Sequence, residues 1–145
     1  MRKRLSTSLE DYLEAAYTLS LGRGFTRTGE ISRVLKVSKP SANAAVKALS
    51  ARGLLSHERY GDIALTPAGT AAGREIAARH SLLKDFFVEV LAMRGAQAEL
   101  DACRAEHALS GEALSRLQSL TAFLKSRGRA ATLAAARSAA RGRRK

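Results

Sequence analysis

The sequence predicts a mainly α chain: a winged helix-turn-helix followed by an all-α domain. Three observations carry that expectation. Two short segments with helical spacing and good capping residues, 28–37 and 38–53, stand back to back across a tight connection. A stretch broken by Tyr60-Gly61-Asp62 then reads as a β-hairpin. Beyond Thr66-Pro67 the apolar residues keep a period of three to four.

The elements follow in order. Ser8 is a natural N-cap for a first helix in which Leu9, Leu13, Ala16 and Tyr17 share a face, and Gly22 and Gly24 end it. Thr28 caps a short helix carrying Ile31, Val34 and Leu35. Ser38 caps a third, with Pro40 in its first turn, where a missing N–H costs nothing, and with Ala45, Val46 and Leu49 facing inward until Gly53. The hairpin pairs residues 54–59 with 63–66. Thr66 and Pro67 then open a long helix running toward Ala92, and Gly95 punctuates it. A shorter helix spans about Gln97 to Ala108, and Ser110 caps another in which Leu117, Leu120 and Leu124 recur at helical spacing, with the end of the long helix a candidate dimer seam. The expected organisation is 1–72, 73–125 and a basic Ala/Arg-rich tail, 126–145, helical when bound to something.

Charge selects the partner. The 145 residues hold 25 Lys and Arg against 13 Asp and Glu, a formal net charge of +12, with 46% apolar residues to build a core. Such a balance points to a polyanion. From Arg33 to Arg52 there are five bases and no acid, and the tail after Lys125 holds seven bases and no acid. No apolar run approaches the roughly 18–20 residues that span a bilayer, and no hydrophobic stretch of signal-peptide length follows Met-Arg-Lys-Arg-Leu. A cytoplasmic protein without a membrane partner is expected. The single cysteine allows no intrachain disulfide.

In a helix-turn-helix the N-terminal residues of the second helix enter the major groove of double-stranded DNA. Here they are Ser38, Lys39, Pro40, Ser41, Ala42 and Asn43. Asn43 suits a bidentate contact to adenine, Pro40 and Ala42 suit thymine methyls, and Lys39, Lys47 and Arg59 suit phosphates. Arg59 and Tyr60 at the hairpin tip would be the wing contacts.

Cys103, Glu106 and His107 place a thiolate, a carboxylate and an imidazole on one face of a helix, a donor set for a first-row transition metal and not for magnesium or calcium. Taken singly, other readings stay open: Asp11 fits capping, Glu14 a solvated helix face, His80 a half-buried histidine and Cys103 a small core residue.

Four segments around the winged helix speak together: Ser-Leu-Glu-Asp-Tyr-Leu-Glu-Ala-Ala-Tyr (8–17), Leu-Thr-Pro-Ala-Gly (65–69), Ala-Arg-His-Ser-Leu-Leu (78–83) and Cys-Arg-Ala-Glu-His-Ala-Leu-Ser (103–110). In that order the chain resembles the diphtheria toxin repressor and manganese transport regulator family over residues 6–124, in its short type without an SH3-like domain. The resemblance implies a dimeric, metal-dependent DNA-binding regulator, a repressor controlling metal homeostasis. It implies metal ligands at Asp11, His80, Cys103, Glu106 and His107, with Glu14 as a bridging or second-site carboxylate. Cys103 matches the iron-responsive branch and Asp11 the manganese branch, so the site is a hybrid. A thiolate favours Fe(II), with Co(II) or Zn(II) as substitutes, over Mn(II). Lys84 stands where the iron branch has an acidic ancillary ligand, and the expectation is one well-formed site.

Two other classes compete. A winged-helix regulator sensing an organic ligand or an oxidant would use Cys103 without metal, and a basic architectural protein would rely on the tail. An enzyme acting on a small-molecule substrate is not expected: Cys103 and His107 lack an oxyanion donor, and no phosphate-binding glycine loop appears.

Overall fold

A computed structural model describes residues 5–142, and of Arg59 the main chain only; the expected contact through the Arg59 side chain, and the last three basic residues, lie outside the described residues. Helices α1 (Thr7–Ser20), α2 (Thr28–Leu35), α3 (Lys39–Ala51), α4 (Pro67–Asp85), α5 (Gly95–Ala105), α6 (Gly111–Lys125) and α7 (Ala130–Ala140) dominate. Strands β1 (Thr26–Arg27), β2 (Leu55–His57) and β3 (Asp62–Leu65) form one antiparallel sheet in the order β1-β3-β2. Two compact units result, one ending at Ala77 and the other beginning at Ala78. That division and the expected one after residue 72 both fall inside α4.

The first unit is the winged helix. Leu13 and Ala16 of α1, Ile31 of α2, Ala42, Val46 and Leu49 of α3, and Ile63 of β3 are almost wholly shielded from water and form one cluster. The caps explain where the helices start. Ser38 Oγ accepts from the Ser41 N–H at 3.2 Å, as its position before a proline-bearing first turn requires. Thr66 Oγ1 accepts from the Gly69 N–H at 3.0 Å and donates to the Gly53 carbonyl at 2.6 Å, tying α4 to the end of α3.

Two caps differ from expectation. Ser6, not Ser8, caps α1, accepting from the Leu9 N–H at 3.4 Å, so Ser8 lies inside the first turn. Thr28 is the first helical residue of α2, and Glu30 supplies the compensation, its carboxylate accepting from the Arg27 N–H at 3.0 Å and from Thr26 Oγ1 at 3.1 Å. Strand β1 is a further addition. Two residues give no alternation to read; Thr26 is a strand residue because it lies opposite Ile63, with its side chain fully buried.

At Ala42 the structure corrects the expectation of a DNA contact. Its methyl is buried in the core, inward-facing with Ala45, Val46 and Leu49, while Ser38, Lys39, Pro40, Ser41, Asn43 and Lys47 are exposed. The reason is helical phase: Ala42 shares a face with Ala45, Val46 and Leu49 at spacings of three and four. Tyr60 is 93% exposed at the wing tip and adopts φ 64°, a left-handed turn conformation.

The second unit has its own small core of Leu83, Ala102 and Leu114, flanked by Leu82, Phe87, Ala105, Leu109 and Leu117. The long helix does not run unbroken to Ala92: after Asp85 it widens into a π turn, Phe86–Val90, with the Leu91 N–H donating to the Phe86 carbonyl at 3.1 Å. That turn is where α5, α6 and α7 meet α4. Helix α5 starts at Gly95 and ends at Ala105, earlier at both ends than expected. Ser110 caps α6 as expected, accepting from the Ala113 N–H at 3.1 Å. The tail forms α7, which packs on α6 and on the π turn, and the Arg129 guanidinium lies 3.8 Å from the Phe123 ring centre.

Gly69 sets a close approach that a methyl cannot share. A Cβ there would overlap the Leu54 carbonyl oxygen and stand 2.8 Å from its carbon. Replacing glycine in a helix gains about 1 kcal/mol of propensity, whereas forcing backbone apart costs about 3 kcal/mol or more. Gly69→Ala is therefore expected to destabilise by the difference, about 2 kcal/mol, and to lower the urea midpoint accordingly; a variant as stable as the wild type would show that α4 does not pack this closely on Leu54.

Candidate metal centre

The centre is built where α4 and α5 of the second unit face each other. One ligand atom from each of His80, Cys103 and Glu106 lies within 4.8 Å of the others. His80 comes from the penultimate turn of α4, Cys103 from the last turn of α5, and Glu106 from the residue just beyond it. Glu106 keeps helical dihedrals and its N–H still donates to the Ala102 carbonyl at 3.0 Å, so Cys103 and Glu106, three apart, stay on one face.

Glu106 is the anchor. Its side chain is wholly buried, and Oε2 lies 2.8 Å from His80 Nδ1. Among the described residues Oε1 accepts no hydrogen bond, and His107 Nε2 lies 3.2 Å from it. A buried carboxylate oxygen without a donor is costly, and a cation is the partner that satisfies it. His107, its side chain 5% exposed, stands beside this oxygen. The sulfur, imidazole and carboxylate donors fit a transition metal, and the orphaned oxygen fits a site that needs one. Cys103 is exposed and takes part in no disulfide.

His80 carries a second carboxylate that sequence reasoning missed. Its Nε2 lies 2.9 Å from Glu99 Oε1, and the other oxygen of Glu99 accepts from the Lys84 ammonium at 2.7 Å. A neutral imidazole has one N–H and one lone pair, so carboxylates at both nitrogens are satisfied by an imidazolium or by a cation on one side. The hydrogen bond from Lys84 holds Glu99 below the usual carboxylate range, against the opposing effect of its burial and with help from His80, and the same bond holds Lys84 above the usual ammonium range. Both partners are about half exposed, so the pair matters more for where it puts charge than for stability. Glu99 shares a helix face with Cys103 at spacing four, the signal that would have found it.

Asp11 and Glu14 lie on α1 in the first unit, three apart and half-buried. The residues expected to meet DNA also belong to the first unit: Lys39, Ser41, Asn43 and Lys47 of α3 are exposed, as are Arg33 and Lys36, with no acid between Arg33 and Arg52. Among the described residues no helix is long and apolar enough to cross a membrane.

Comparison with known proteins agrees with these two halves. Residues 4–63 match the profile described as iron dependent repressor, N-terminal DNA binding domain, and residues 66–130 match iron dependent repressor, metal binding and dimerisation domain. An uncharacterised HTH-type transcriptional regulator of Methanocaldococcus jannaschii is 34% identical over 115 residues, 79% of this chain and 92% of that one. The HTH-type transcriptional regulator MntR of Shouchella clausii is 31% identical over 118 residues, 81% of this chain and 82% of the relative. A solved manganese-dependent transcriptional repressor in complex with manganese superposes with a TM-score of 0.73 at 28% identity, over 79% of this chain and 53% of that structure. The chain thus spans about half the length of that structure.

The orphaned oxygen of Glu106 generates a prediction. Glu106→Gln keeps the shape and removes the charge that a bound cation would meet. Added Co(II) at about 100 times its Kd should stabilise the wild type by about 2.7 kcal/mol and the variant far less. Equal Co(II) stabilisation of both in thermal melts would remove Glu106 from the centre.

Proposed function

Because the chain belongs to the iron-dependent repressor family, a family of metal-dependent DNA-binding transcriptional regulators, we propose that it represses transcription in response to Fe(II) in preference to Mn(II). The observation that supports the choice of metal is Cys103, whose sulfur is grouped with His80 and Glu106. A thiolate among nitrogen and oxygen donors shifts affinity toward metals later than manganese in the Irving–Williams order, with Co(II) and Zn(II) expected as substitutes. Asp11 is proposed as a further ligand and Glu14 as an ancillary carboxylate, on the pattern of the resemblance and of their spacing on one face of α1.

When bound, the metal supplies the positive charge that fixes these donors together. The rest of the response belongs to the chain. Lys39 and Lys47 hold phosphates and set the register of α3, Ser41 and Asn43 meet base edges, and Tyr60 follows the backbone from the wing. A homodimer is proposed to present two such helices to two half-sites of an operator, with the exposed Leu120 and Phe123 of α6 at the seam. Metal and DNA then strengthen each other's binding by the same factor, because coupling between two binding equilibria is reciprocal. The exposed Cys103 favours one second reading, an oxidant sensor that needs no metal.

The deciding experiment is an anaerobic titration of metal-free protein with Fe(II) and with Mn(II), beside Cys103→Ser. The wild type is expected to prefer Fe(II) and the variant to lose that preference; Mn(II) binding more tightly than Fe(II) in the wild type would overturn the metal assignment. DNA affinity that is equal with and without metal and abolished by peroxide would establish the oxidant reading instead.

The reading of α3 has its own check. Asn43→Ala is expected to cost about 1–3 kcal/mol and to relax base preference at one operator position. Lys47→Ala is expected to weaken binding to all sequences and to reduce the salt slope by about one. Mobility-shift titrations over operator variants and salt concentrations distinguish the two, and identical behaviour of both variants would refute the division between base and phosphate contacts.

A further inference from the structure

We propose that Lys84 is a built-in cation standing in for a second metal ion beside His80, so that this chain binds one divalent metal where its own carboxylates would otherwise accept two. The inference rests on the reading of His80, Cys103 and Glu106 as a metal centre. Its independent observation is the chain of contacts on the far side of the imidazole: Lys84 Nζ to Glu99 Oε2 at 2.7 Å, Glu99 Oε1 to His80 Nε2 at 2.9 Å.

The argument begins with what Glu99 would do alone. A carboxylate 2.9 Å from an imidazole nitrogen, on the side away from Glu106, is half of another transition-metal donor set. Glu99 is about half exposed, so a hydrated cation reaches it without opening the core. Lys84 closes that possibility in two ways. It occupies the second oxygen of Glu99, and it holds a full positive charge within reach of the place a divalent ion would take. Position 84 follows His80 by four residues on the same face of α4, so this ammonium is directed there by the helix itself.

The pairing also gives Glu99 a use. With Lys84 on one oxygen, the other is fixed against His80 Nε2, leaving Nδ1 on the side of Glu106 and Cys103. A carboxylate that holds the far nitrogen of a ligating histidine fixes the ring's orientation and tautomer. The Lys84–Glu99 pair therefore acts as a positioning device for the one metal while excluding another.

The test counts metal. Full-length wild type, Lys84→Glu and Lys84→Gln are titrated anaerobically with Mn(II), with stoichiometry read by calorimetry and spin coupling between neighbouring ions by electron paramagnetic resonance. The expected result is one equivalent for the wild type and two for Lys84→Glu, with coupled spins in the variant only. Should Lys84→Glu fail to fold, Lys84→Gln frees Glu99 without adding charge and is expected to gain a second, weaker equivalent. Two equivalents in the wild type, or one equivalent in every folded variant, would overturn the proposal while leaving the metal centre intact. Absence of binding in all three would overturn the centre itself and this inference with it.

Discussion

The contact between the buried carboxylate of Glu106 and the imidazole of His80, 2.8 Å long, is the constraint on which the second unit depends. It joins the end of α4 to the end of α5 at a point where the Glu106 side chain is wholly buried. A carboxylate wholly enclosed by protein is expensive unless its oxygens are satisfied, and one of these is left without a hydrogen bond. The protein thus holds a local instability in place through the small apolar core of Leu83, Ala102 and Leu114. This is the arrangement expected of a binding site whose ligand supplies the missing charge.

The first unit is constructed on the opposite principle. Its main cluster is apolar, and its special residues serve approach and phase. Gly69 lets α4 lie against the end of α3, and Gly73 lets it lie against α1, where a Cβ would come within 2.7 Å of Tyr17 Cβ. The small Ala42 lets the base of α3 sink into the core, while the residues around it remain outside.

The family supplies the general activity, and particular residues of this chain supply its character. Cys103 brings a sulfur to a position grouped with an imidazole and a carboxylate. Lys84 and Glu99 add a charge pair against the far nitrogen of His80. Helix α7, which lies outside the residues matched by the family profiles apart from its first position, packs an acid-free basic segment onto α6 and the π turn.

The sequence by itself determined the fold class, the helix-turn-helix with its hairpin, and the starts of α3, α4 and α6, because caps, prolines and apolar spacing are local. Ser38, Thr66 and Ser110 act within three residues of themselves, so a reader of the chain finds them. It also put the candidate donors Cys103 and Glu106 on one helix face, because a spacing of three is a helical neighbour relation. Only the tertiary structure decided the rest. It paired Thr26 with Ile63, widened the end of α4 into a π turn, buried Ala42, and put Glu99 between His80 and Lys84. These outcomes depend on which face of one element meets another, and no local pattern carries that information: an exposed-looking glutamate on α5 becomes part of a site only when α4 arrives beside it.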